Sequence, residues 1–159
     1  MASGSVRAKA VEDSDITKES FYTPAMERTK DYEGFRSTPY RDTLGNLTVG
    51  YGTNLNAYPQ APRQMTQQQA SAYMQKAYQQ AALSAMMFAG PRWNELSDNQ
   101  KGVLTDMYYN MGNKLYDFHD LQSAIANNDI KGMQKAMQSS NWYNQVKNRG
   151  RRNVLLMAQ

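Results

Sequence analysis

Two acids and a hydroxyl stand close together in residues 33–54, EGFRSTPYRDTLGNLTVGYGTN: Glu33, Asp42 and Thr48. Two carboxyls around one cleft are what hydrolysis of a glycosidic bond requires. One protonates the departing oxygen, and the other handles water or the positive charge growing on the sugar. The two acids are placed differently. Thr23-Pro24 reads as an N-cap followed by proline at the first helical position, and Gly34 is a left-handed stop, so Glu33 closes a short helix. There the negative end of the helix dipole disfavours an ionised carboxylate, and burial under the following hairpin adds to the penalty. A carboxyl that keeps its proton near neutral pH is what a general acid needs to be.

From Pro39 the pattern turns to strand, with Gly45-Asn46 as turn residues between Tyr40-Arg41-Asp42 and the alternating run Leu47 to Gly52. Alternation puts Leu47, Val49 and Tyr51 on one face. Thr48, Gly50 and Gly52 fall on the other, which is expected to be polar and open, its glycines leaving room for a ligand. The hairpin is expected to set Asp42 and Thr48 opposite each other across the turn. Singly, Asp42 suits a turn and Thr48 a strand; their combination with Glu33 is what points to chemistry.

The elements that must hold these residues follow in order. Residues 1–20 mix small and charged residues without apolar periodicity and read as a flexible leader or linker, leaving 21–159 as one domain. Asn56 to Gln64, with Pro59 and Pro62, is loop. Thr66 then caps one long helix over 67–89, on which Ala70, Met74, Ala77, Ala81 and Ala85 recur at helical spacing before a Gly90-Pro91 stop. Ser97 with Gln100 is a capping box opening a helix whose apolar face, Val103, Leu104, Met107, Tyr108 and Met111, ends at Gly112. Shorter helices are expected over about 119–127 and 129–138, with Asn127-Asn128 as the turn, and a last one from Ser140 or Asn141 through Leu156.

The chain resembles the phage lysozymes, muramidases typified by the lysozyme of T-even bacteriophages. The resemblance lies in Glu33, Asp42 and Thr48 spaced as E-x8-D-x5-T, with Tyr40 before the Asp, Gly45 in the turn and Gly50-x-Gly52 after the Thr. It continues in Trp142-Tyr143-Asn144-Gln145 with Asn148-Arg149 and Arg152, and in Met107 and Met111-Gly112, so that it covers about residues 22–159. One departure is Thr53, where the family usually has a His that serves mainly as a structural partner. The resemblance implies an α+β fold: a small lobe with the hairpin, a long connecting helix, a mainly helical C-terminal lobe and a sugar-binding cleft between them. It implies hydrolysis of the β-1,4 bond between N-acetylmuramic acid and N-acetylglucosamine with inversion, Glu33 as general acid, and Asp42 and Thr48 positioning the water. Asn54 and Tyr109 match sugar-contacting positions, Arg149 is expected to face Glu33, and no metal or organic cofactor is required. The partner implied is bacterial peptidoglycan.

Composition narrows the alternatives. The 159 residues suffice for a real core, and 18 Lys+Arg against 14 Asp+Glu give a net charge of +4 that favours anionic polymers without choosing among them. Without Cys there is no disulfide scaffold, thiol nucleophile or Cys-ligated zinc. His119, the single histidine, reads as a residue near a helix start, not a metal ligand. The 11 methionines read as pliable packing. No apolar run suits a membrane span or signal peptide, so stable membrane insertion is not expected. The protein is read as a monomer, or as tethered through its N-terminus to a larger phage assembly, residing in the host cytoplasm until lysis or on the virion. Lys147, Arg149, Arg151 and Arg152 form a basic cluster, but no nucleic-acid readout motif accompanies it. The rival reading is a catalytically inactive wall-binding or virion structural module with the same fold.

Overall fold

The computed structural model describes residues 15–159, so residues 1–14 of the expected leader lie outside the described residues. The described residues are 67% helical with a three-stranded antiparallel sheet, the expected α+β arrangement. In order come α1 (Tyr22–Glu33), β1 (Arg36–Arg41), β2 (Leu47–Gly50), β3 (Thr53–Asn54), α2 (Gln67–Ala89), α3 (Asp98–Met111), α4 (His119–Ala126), α5 (Ile130–Gln138), α6 (Asn141–Val146) and α7 (Asn148–Met157). Short 3-10 turns lie at Ile16–Lys18, Gly90–Glu95 and Gly112–Asp117.

The long helix α2 is the bridge between lobes. Its first turn is closed by a capping box in which Thr66 and Gln69 satisfy each other's backbone N–H groups, and Ser97 and Gln100 do the same for α3. Near its start α2 covers the sheet, where Val49, Leu55, Met65 and Ala70 are buried together. Further along it packs on α3, whose Leu104 and Met107 are fully buried. Met133, Met137 and Met157 lie deep in the helical lobe with Leu115 and Leu121, unbranched thioethers filling the space between short helices.

Three expectations give way. Helix α1 starts at Tyr22 with Phe21 as its cap residue and no side-chain cap bond, so Thr23-Pro24 lies inside the first turn. Proline costs little there because the first N–H groups have no partner in the helix. The last helix is two helices, broken at Lys147, whose φ is 53°. The packed body also begins before residue 21. Ile16 is 1% exposed, Ser20 donates to Asp98 at 2.9 Å, Lys101 meets Glu19 at 3.0 Å, and the Phe21 ring packs edge-on against Trp93. A single apolar side chain in a polar stretch shows no periodicity, which is why Ile16 carries no signal in the sequence.

Candidate active site

The break at Lys147 matters because it turns the chain just before Arg149, the second residue of α7. Arg149 reaches two carboxylates at once. Its Nε and Nη2 donate to Oδ2 and Oδ1 of Asp106 on α3 at 3.0 and 2.8 Å, and its Nη1 donates to Oε2 of Glu33 at 2.8 Å. All three side chains are nearly inaccessible to water, at 11% exposure for Arg149, 9% for Glu33 and 4% for Asp106. Asp106 also accepts from Asn153 Nδ2 at 2.8 Å and Thr29 Oγ1 at 2.7 Å, so both its oxygens are fully engaged. The planar guanidinium suits this double duty, since its N–H groups leave in a fixed fork.

Glu33 ends α1, and Gly34 with φ 66° turns the chain away after it. Its carboxyl lies against Gly52, where a Cβ would stand 2.5 Å from Glu33 Oε1. Glycine is required there twice over, by that approach and by a φ of 78°. Burial pushes the Glu33 carboxyl above its ordinary value against the pull of Arg149, and the negative charges of Asp106 and Asp42 push the same way. For Asp106 the balance is opposite: burial raises it, but Arg149 and the Thr29 and Asn153 hydrogen bonds outweigh burial and hold it below the ordinary carboxylate range.

Glu33 and Asp42 line one cleft of about 390 Å³ together with Asn46, Asn54, Tyr58 and Tyr109. Asp42 is fixed by the turn it opens: Oδ1 accepts the N–H groups of Leu44 at 2.9 Å and Asn46 at 2.8 Å, while among the described residues Oδ2 has only a long 3.4 Å contact with the Asn46 amide. Asn54 uses its side-chain oxygen on the N–H of Asn56 at 2.8 Å. Tyr109 donates its hydroxyl to the carbonyl of Tyr51, tying α3 to the hairpin, and burial raises its phenol well above the ordinary value.

Thr48 is placed otherwise than expected. Its strand partner is Tyr40, and the residue facing Asp42 is Asn46, whose carbonyl accepts the Asp42 N–H at 3.0 Å. The face holding Thr48 and Gly50 is not open: Thr48 is 1% exposed and donates to the Asn46 carbonyl at 2.7 Å. Strand β2 is the middle strand, so Tyr40 on one side and Asn54 on the other are its same-face neighbours. Alternation in one strand cannot show that. Thr53 is buried as well, and its hydroxyl has no hydrogen-bond partner among the described residues.

Asp106 stands outside the residues that the sequence pattern marks. The available signal was an acid within the apolar arc of α3, between Val103 and Met107, in a chain whose basic C-terminal cluster has no acid after Asp129. Two further residues carry no local signal: Asn110, which accepts the indole N–H of Trp142 at 2.8 Å, and Tyr58, which stands at the cleft wall. Of the basic cluster only Arg149 is drawn in; Lys147, Arg151 and Arg152 are exposed, as is His119 at the start of α4.

Residues 30–155 match the family model described as Phage lysozyme. No curated protein matches the chain.

Proposed function

Because the chain belongs to the phage lysozyme family, a family of peptidoglycan hydrolases, we propose that it is a muramidase, cleaving the β-1,4 bond between N-acetylmuramic acid and N-acetylglucosamine with inversion. The observation that carries this reading is the buried Glu33 carboxyl, raised in pKa yet held by Arg149, in the same cleft as Asp42. Glu33 protonates the leaving sugar oxygen. Asp42, whose Oδ2 has no strong internal bond, accepts a hydrogen from the attacking water and offsets the oxocarbenium charge from the opposite side. Thr48, buried beside the cleft, bonds the Asn46 carbonyl and so steadies the turn that positions Asp42 for that water. Asn54 and Tyr109 contact the sugars, with Tyr58 as a further aromatic wall. Among the described residues no helix is long and apolar enough to cross a membrane. The protein acts on the wall as a monomer, or tethered through its N-terminus to a phage assembly.

Clearing of bacterial wall suspensions tests the reading against a wall-binding module without activity. The wild-type protein should clear them. General acid catalysis is worth about 10² to 10⁴ in rate, and Glu33→Gln should look inactive while still binding walls. Asp42→Asn should fold normally and lose most turnover, since a carboxamide neither takes the water's proton nor balances positive charge. A folded Glu33→Gln protein that clears walls at the wild-type rate would remove Glu33 from the chemistry.

A further inference from the structure

Arg149 is a single cation between two buried carboxylates, and the division between them is unequal. Asp106 takes two of its N–H groups in parallel and Glu33 takes one. Asp106 is itself immobile, because Thr29 from α1 and Asn153 from α7 donate to it and it lies 3% exposed beneath the cleft. It does not line the cleft, so a direct role on substrate is not open to it. A buried carboxylate is heavily penalised by desolvation unless it is fully bonded, and Asp106 is the more completely bonded of the pair. A neutral residue at this position would leave the whole cation to Glu33.

We propose that Asp106 is a positioning residue of the site: its two-point hold fixes the guanidinium so that only the third N–H reaches Glu33 Oε2, and it divides the cation's charge so that Glu33 receives only a share. This rests on the assignment of Glu33 as the proton donor. A lone Arg149–Glu33 pair would stabilise the ionised carboxylate and spend the donor before the reaction; with Asp106 present, ionising Glu33 would set two negative charges against one positive. Glu33 then keeps its proton to higher pH while Arg149 still holds its orientation. The other groups facing Glu33 push in the same direction or are neutral: Asp42 from the hairpin, and the phenols of Tyr40 on β1 and Tyr109 on α3, both of which remain protonated well above neutral pH.

The test is Asp106→Asn in the full chain, read two ways: the midpoint at which the Glu33 side-chain carboxyl titrates by carbon-13 NMR, without substrate, and the pH dependence of kcat on soluble peptidoglycan strands. Both midpoints should move to lower pH. A midpoint lower by one pH unit costs about tenfold in rate on the alkaline limb and almost nothing on the acid side. A residue that merely held the fold would lower Tm, or kcat equally at all pH, and leave the midpoint in place; an unchanged or raised Glu33 midpoint in the folded variant overturns the proposal. Asp106→Glu keeps the charge but displaces the fork, so its midpoint should stay near wild type while kcat falls at every pH. That variant decides the matter if Asp106→Asn does not fold, since a wild-type kcat for Asp106→Glu overturns the positioning role. If the wild-type protein fails to cleave peptidoglycan at all, the functional reading falls, whereas the NMR midpoint still decides how the cation is shared.

Discussion

At Glu33 three forces meet in one carboxyl. Burial and the neighbouring acids favour the neutral form, Arg149 favours the ion, and the first outweighs the second. The backbone of Gly52 makes the location available. Gly52→Ala should therefore damage activity more than stability: the added Cβ would stand 2.5 Å from Glu33 Oε1, so either the carboxyl or the β2–β3 turn must shift. Displacement of a reacting group by about 1 Å costs on the order of 10²-fold in rate, whereas holding an alanine at positive φ costs about 1–2 kcal/mol. Paired measurements of wall clearing and Tm check this, and a variant with full activity would show that the acid does not depend on that close approach. Glu33, Gly34 and Asp42 were legible because each sits on a local signal, a helix stop or a turn. Asp106 was not. Its partners Thr29, Arg149 and Asn153 come from helices far apart in the chain, and spacing within α3 distinguishes it only as an acid on an apolar face. Thr48 was legible as a residue and misread in its surroundings, because the neighbours that cover it belong to the two flanking strands.

Elements that carry their own caps were read closely: α2 and α3 start at Thr66 and Ser97 as their capping boxes require, and α4 and α5 fall within a residue or two of expectation. The break between α6 and α7 has no such mark. Lys147 adopts positive φ without being Gly or Asn, and the buried positions Trp142, Val146, Val154 and Met157 fit a continuous helix well enough to hide it. What the break accomplishes is tertiary, since it delivers Arg149 to Asp106 and Glu33. The turn Ile16–Lys18 is a second element whose reason lies elsewhere in the fold. Asp15 caps it by accepting from the Thr17 N–H, and Ile16 enters the core. Ile16→Ala should cost about 2–5 kcal/mol, the range for truncating a buried aliphatic side chain. For a chain of this size each kcal/mol is worth about 2–4 °C, so a thermal melt should register a fall of several degrees, with wall-clearing activity at room temperature retained. An unchanged Tm would mean that the turn is not part of the cooperative unit.

Across the whole molecule, the Glu33–Arg149–Asp106 cluster joins α1, α3 and α7 where the two lobes meet, so its titration is written into the stability of the fold as well as into catalysis. The two acids contribute with opposite sign. Asp106 has a folded-state pKa below its unfolded value, so its contribution is present above the ordinary carboxylate range and is lost as pH falls through the lower, folded value. Glu33 has a folded-state pKa above the ordinary 4.5, so between 4.5 and that raised value the folded protein keeps a proton that the unfolded chain has released. With fewer protons bound in the unfolded state, stability must decline as pH rises through that window, and level off above it. Other carboxylates overlie both effects, but a difference between two proteins removes them. Glu33→Gln carries no titrating group at this position and leaves Arg149 its two-point bond to Asp106, so the cation is not left unmatched. The melting temperature of Glu33→Gln minus that of the wild type should therefore climb from pH 4.5 upward, by at most about 3–6 °C per pH unit, the equivalent of about 1.4 kcal/mol, and reach a plateau once wild-type Glu33 has ionised. The pH at which that climb levels off should coincide with the alkaline limb of the wild-type kcat/KM profile, because the same proton is lost in both. A difference in Tm that stays flat from pH 4 to 9, or that falls with rising pH, would mean that the buried acid ionises in the folded protein as readily as in water, and the general-acid assignment would lose its physical basis.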